Sequence, residues 1–168
     1  MLKTLLIRAF VISGFAALLL ACAPSNPTLV LQDLGPAADG VQITSITVSD
    51  KEFPVSEELA EQLKSKFAKA MPQCATGRRP HSLEIIVENY EGGGAGQAFL
   101  IGARSVINVQ FIIRPVGSEV SVGDYQMQEI LAGGGLLGAA AMAQSEAILS
   151  QNLAERLCKE VWGIHLQP

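Results

Sequence analysis

The chain has 168 residues, with 12 basic against 16 acidic side chains and a formal net charge of −4. A mildly acidic chain without a basic stripe has no electrostatic reason to seek nucleic acid, and aromatics at 5% leave little surface for stacking bases or sugars. The first 21 residues hold Lys3 and Arg8 and no acid, so their removal moves the charge to about −6 and leaves about 147 residues, a length that suits one domain.

Those first residues carry the most specific signal in the sequence. Met1-Leu2-Lys3 and Arg8 precede an apolar run from Ala9 to Ala21, and Cys22 follows directly. A short cationic head, an apolar stretch and a small residue at the cut make a secretory signal peptide. A spanning helix needs about 20 apolar residues, and this run is shorter, with Arg8 in its flank. With cysteine after the cut, residues 1–21 resemble a bacterial lipoprotein signal, which implies acylation of Cys22 and a protein held on the cell envelope. Ala23 stands where an aspartate would imply inner-membrane retention. By resemblance to enterobacterial lipoproteins the expected address is the outer membrane, facing the periplasm. The alternatives are an ordinary signal cut and a membrane helix with an incidental cysteine.

Residues 22–40, with Pro24, Pro27, Gly35, Pro36 and Gly40, read as a lipid-anchored tether with room for one early strand at Leu29-Val30-Leu31. Residues 41–168 read as a single α/β domain. Gln42–Val48 alternates with β-branched residues and predicts a strand. Asp50–Pro54 turns the chain, and Ser56 N-caps a helix with Glu57 and Glu58 in its first turn. Leu59, Leu63, Phe67, Ala70 and Met71 give that helix one apolar face, and Pro72 stops it.

Strands follow at Ser82–Tyr90, Ala103–Arg114 and Val120–Ile130, the last two joined by a turn at Gly117-Ser118. On the third strand Ile107, Val109, Phe111 and Ile113 share one side, and the other is mixed. Leu136–Trp162 reads as one long helix with a seam of Leu149, Leu153, Leu157 and Val161, stopped by Gly163. The predicted fold is therefore α/β (α+β). It has a mixed or antiparallel sheet of about four strands with two helices on one face, in the order β-α-β-β-β-α.

If Cys22 is acylated, Cys74 and Cys158 remain as an even pair in a disulfide-permissive compartment. Each falls near the end of a predicted helix, so helices lying side by side would bring them together. Two separate buried thiols are the alternative. Neither cysteine sits in a CxxC pair and His81 and His165 lack ligand spacing, so no metal is expected.

Two glycine-rich stretches invite functional readings. GGGAGQAFLIG at 92–102 lacks the lysine of a phosphate loop, and its glycines miss the dinucleotide spacing at Gln97 or Phe99. No nucleotide or cofactor is expected there. The stretch reads as a flexible inter-strand loop with an apolar tip, Phe99-Leu100-Ile101, that is core, lipid-touching or partner-facing. ILAGGGLLGAAAMA at 130–143 is too short to span a bilayer. It reads as a buried helix start or as an exposed surface that includes Leu136 and Leu137.

Nucleophilic catalysis would need Cys74 with His81 or His165 and an orienting acid, and no HExxH, GxSxG or SxxK pattern occurs. No catalytic residue is assigned and no enzyme activity is expected.

Three features together resemble a group of small bacterial envelope lipoproteins. They are ITVSDKEFPVSEELAEQLKSKF at 46–67, LEIIVENYEGGG at 83–94 and the final apolar-to-amphipathic helix. The domain of that group is like those of the curli-secretion lipoprotein and the N-terminal domain of the Tol-system periplasmic protein. The resemblance implies a non-enzymatic assembly, transport-accessory or scaffolding role, with an envelope protein or a second copy as partner. Alternatives are an oligomeric or pore-associated component using 99–101 and 130–143, and an envelope hydrolase.

Overall fold

The computed structural model describes residues 27–51 and 54–166. The signal segment 1–21 and Cys22 lie outside the described residues. Five strands form one mixed sheet: β1 (Thr28–Gln32), β2 (Val41–Asp50), β3 (Arg79–Glu91), β4 (Ala103–Pro115) and β5 (Gly123–Gly133). Their spatial order is β1-β5-β4-β3-β2. Only β2 and β3 run parallel; the other neighbours are antiparallel. The helix α1 (Glu57–Cys74) makes the crossover between that parallel pair, as parallel strands require. Two short helices, α2 (Ala95–Ile101) and α3 (Gly135–Met142), flank β4 and β5, and α4 (Ser145–Trp162) closes the chain.

The core follows from period-two patterning on the strands meeting period-four seams on the helices. Leu83, Ile85 and Val87 of β3 and Ile107, Val109, Phe111 and Ile113 of β4 are buried on one face. Leu59, Leu63 and Phe67 of α1 and Leu149, Leu153 and Leu157 of α4 pack over them. The Phe67 and Phe111 rings meet with centroids 5.3 Å apart. At the start of α1 the Ser56 hydroxyl accepts from the Leu59 amide at 3.1 Å. Gly163 stops α4 in the left-handed conformation (φ +68°), its N–H bonding to Lys159 O.

The architecture is the α/β class the patterning predicts, with four differences. The sheet has five strands, not about four, because Leu29-Val30-Leu31 pairs with β5 and adds an edge. Residues 28–40 consequently belong to the folded domain, not to a tether. After β1 a short 3-10 helix (Gly35–Gly40) buries Leu34 and Ala38. The Tyr125 hydroxyl holds it by accepting from the Leu34 amide at 2.9 Å and donating to Asp33 Oδ1 at 3.1 Å. The expected inter-strand loop at 92–102 contains α2, whose Ala98 is fully buried. The expected single helix 136–162 is broken at Ala143-Gln144, where Gln144 leaves helical geometry. Pro72 does not stop α1, which continues to Cys74 and closes with Ala75 N–H on Met71 O at 2.8 Å.

Candidate functional site

Strand directions give the sheet two ends. At the lower end α1 finishes, β3 and β5 begin and α4 terminates; at the upper end β3 and β5 finish and α2, α3 and the start of α4 gather. The structure joins Cys74 to Cys158 at the lower end, with the sulfurs 2.04 Å apart and both residues buried. Beside them the Trp162 indole donates to Ala38 O at 3.1 Å, tying α4 to the 3-10 helix. Burial, together with Asp33 and against the opposing effect of the Leu34 amide, pushes the Tyr125 hydroxyl up to about 12. It stays a neutral donor throughout the physiological range.

The upper end is built from different material. Helices α2 and α3 pack side by side, and small residues let α3 fold back onto the end of β5. A Cβ on Gly138 would meet Gly133 C at 2.5 Å, and one on Gly133 would meet Gly138 Cα at 2.9 Å. Ala98, Gly138 and Met142 face inward, and the remaining large apolar side chains face outward. Exposure is 56% at Phe99, 77% at Leu100, 81% at Ile101, 75% at Leu136 and 85% at Leu137. The five apolar residues singled out in the sequence, on segments 34 or more positions apart, therefore sit on adjoining helices. Exposed contiguous apolar patches above a few hundred Å² mark interaction or membrane sites. Among the described residues no helix is long and apolar enough to cross a membrane.

Behind this tip, Tyr90 and Ser145 hydroxyls meet at 3.3 Å. Glu146 lies beside them with Oε2 shielded from solvent and without a hydrogen-bond partner. Partial burial and then the Glu58 charge raise its carboxyl above the usual range. A recess of about 410 Å³ opens between Glu58, Gln62, Tyr90, Gln144 and Glu146.

The sheet face turned away from the helices is mixed and half-buried, with polar pairs set among Ile86 and Ile112. Arg114 Nη1 and Glu84 Oε2 pair at 2.5 Å, Gln110 donates to both oxygens of Asp124 at 2.8 and 3.0 Å, and Gln128 donates to Asn108 Oδ1 at 2.9 Å. These side chains satisfy one another across β3, β4 and β5. On the edge strand β1, Leu29, Val30 and Leu31 are about half exposed, at 54%, 47% and 52%.

Among the described residues, neither histidine ring is hydrogen-bonded to a nucleophile. His81 is buried and donates through Nδ1 to Arg79 O at 2.7 Å, while His165 is exposed. Cys74 is in the bridge. Among the described residues no group of three His, Cys, Asp or Glu side chains is placed to hold a metal ion.

One clamp was not legible in the sequence. Arg156 of α4 pairs with Glu129 of β5 at 3.2 Å, donates to Gln128 O at 2.8 Å, and donates to Thr28 Oγ1. It fixes the point at which the chain enters β1. An arginine on a helix face carries no mark of such a partner, since the partner is 128 residues away.

No family model matches the chain, and no curated protein sequence matches it. Solved structures of similar fold include the PelC dodecamer from Paraburkholderia phytofirmans, at 15% identity and TM-score 0.47, covering 77% of this chain and 98% of that one. Protein XCC0632 from Xanthomonas campestris is similar at 14% identity and TM-score 0.49, covering 77% and 92%. A minor lipoprotein from Acinetobacter baumannii is similar at 11% identity and TM-score 0.46, covering 76% and 98%. At these identities and TM-scores nothing about this chain's function follows from them.

Proposed function

We propose that the protein is a lipid-anchored, periplasm-facing component of the bacterial envelope, held on the outer membrane by Cys22, with a non-enzymatic assembly or transport-accessory role. The carrying observation is the sequence itself: a cationic head, an apolar run from Ala9 to Ala21, and Cys22 immediately after it. A Cys74–Cys158 bridge suits the oxidising compartment that such a signal leads to. Several acyl chains on one residue hold a protein stably where one chain does not. Confinement to a leaflet then raises the protein's effective concentration near its partners without any new contact.

The polar side chains of the open sheet face pair with one another. His81 faces a backbone carbonyl and the carboxylates of the open sheet face are spent on Arg114 and Gln110. That favours a scaffold over a hydrolase. Kinship with the curli-secretion and Tol-system domains belongs to the same proposal and rests on the patterning of 46–67 and 83–94. A second reading, an oligomeric or pore-associated component, is favoured by the exposed apolar tip.

Envelope fractionation tests the proposal. The parent protein is expected in the membrane fraction together with a cross-linkable envelope partner, and Cys22→Ser is expected to leave that fraction and lose the partner. A Cys22→Ser protein that stays on the membrane with its partner would count against the anchor.

A further inference from the structure

We infer that the α2–α3 tip is a second membrane contact, seated in the acyl region of the same leaflet that holds the Cys22 lipid; this rests on the anchor reading above. The ground is where the described chain begins and how much lies before it. β1 runs antiparallel to β5, with Thr28 opposite Met127 and Gln32 opposite Asp124. At Thr28 the described chain therefore points back toward the upper end of the sheet, where Gly133 pairs with Ala103 at the root of the tip. Arg156 on Thr28 Oγ1 and the Gln128 amide on Pro27 O at 3.2 Å fix that exit.

From Gln128 the strand climbs about 17 Å to Gly133, at roughly 3.3 to 3.4 Å per residue. The five chain steps from Cys22 to Pro27 span at most about 18 Å. An acylated Cys22 at full reach thus stands level with the base of the tip. Doubling back toward the lower end would use much of that reach on the turn.

What meets the leaflet is suited to it. Ala95–Ile101 and Gly135–Met142 contain no charged side chain, and their exposed positions include Phe99, Leu100, Ile101, Leu136 and Leu137 beside the neutral Gln97. Entry of these residues into lipid removes no charge from water. Their helical turns satisfy part of the backbone internally, with Ala98 N–H on Gly94 O and Gly138 N–H on Gly134 O. Two attachments, one covalent and one by apolar contact, then hold the sheet upright on the membrane.

The native indole provides the control, because the sole tryptophan, Trp162, lies at the lower end. The test uses the full acylated protein on phosphatidylethanolamine–phosphatidylglycerol vesicles containing brominated acyl chains. Leu137→Trp and, independently, Ile101→Trp place an indole on the tip, at positions already exposed to solvent. The added emission is expected to shift to the blue and to lose more than half its intensity to bromine, while the parent protein keeps nearly all of its own. An acylated, vesicle-bound protein whose added indole emits as in water overturns the tip contact alone. A blue-shifted but unquenched indole overturns it in favour of a second copy covering the patch. Absence of labelled acyl chain on Cys22 overturns the anchor and, with it, the inference.

Discussion

At the lower end of the sheet the Cys74–Cys158 bridge, the Trp162 indole on Ala38 and the Tyr125 hydroxyl between Asp33 and Leu34 tie distant segments together. The upper end instead closes on two short helices of glycine, alanine and exposed leucine. The difference separates two demands on one small domain. Stability is concentrated where long-range links converge, so the apolar residues of the other end are free to face outward. The large side chains of the tip add little to the fold they sit on, and they leave apolar surface exposed.

This contrast can be broken at either end, and the largest effects belong to the core and lower end. Cys74→Ser with Cys158→Ser removes a link across a sequence separation of 84 and should destabilise the fold by about 4 kcal/mol in the chain-entropy account. Urea unfolding with and without reductant checks it, and the parent should respond to reductant while the double variant should not. Phe67→Ala empties a fully buried site against Phe111 and should cost about 3 to 5 kcal/mol by the same measurement.

At the root of the tip, Gly138→Val drives a side chain into the Gly133 backbone and should cost about 1 to 3 kcal/mol. Hydrogen exchange should quicken in α2 and α3 and stay slow in β3 and β4. On the tip surface the sign of importance reverses. Leu100→Asp with Leu137→Asp should leave stability within about 0.5 kcal/mol per site, because both residues are already exposed. Vesicle binding should weaken at least tenfold once the lipid anchor is removed from both parent and variant.

The smallest effect is electrostatic. The Glu146 carboxyl is raised by partial burial and by Glu58, so the folded state holds this proton more tightly than the unfolded chain does. Its contribution to stability therefore grows as pH falls from neutral through the raised folded value, opposite to a salt-bridged carboxylate. Glu146→Gln should be slightly more stable than the parent at neutral pH, and the difference should vanish in acid, as paired thermal melts would show.

Most of the fold was legible because its patterning is strong. The period-four seams of Leu59-Leu63-Phe67 and Leu149-Leu153-Leu157 and the alternation through Ile107–Ile113 decide elements by burial alone. The misreadings fall where tertiary contact overrides local signal. Ala143 and Gln144 are sound helix formers, so nothing local marks the break between α3 and α4. Glycines at 92–94 and 96 argue against a helix, yet burial of Ala98 orders one over 95–101. Leu29–Leu31 gave room for an early strand without showing where it pairs, because its partner is about a hundred residues away. Of the candidate contact residues, Phe99, Leu100, Ile101, Leu136 and Leu137 were visible individually as apolar residues among glycines. Their meeting on one surface depends on the pairing of Ala103 with Gly133.

The central claim is the anchor at Cys22, and the mass of the mature N-terminus tests it most directly. Protein purified from a bacterial envelope is expected to begin at Cys22 and to carry the added mass of its acyl chains. An unmodified N-terminus, at Ala23 or elsewhere, or a chain that retains residues 1–21, would contradict the account.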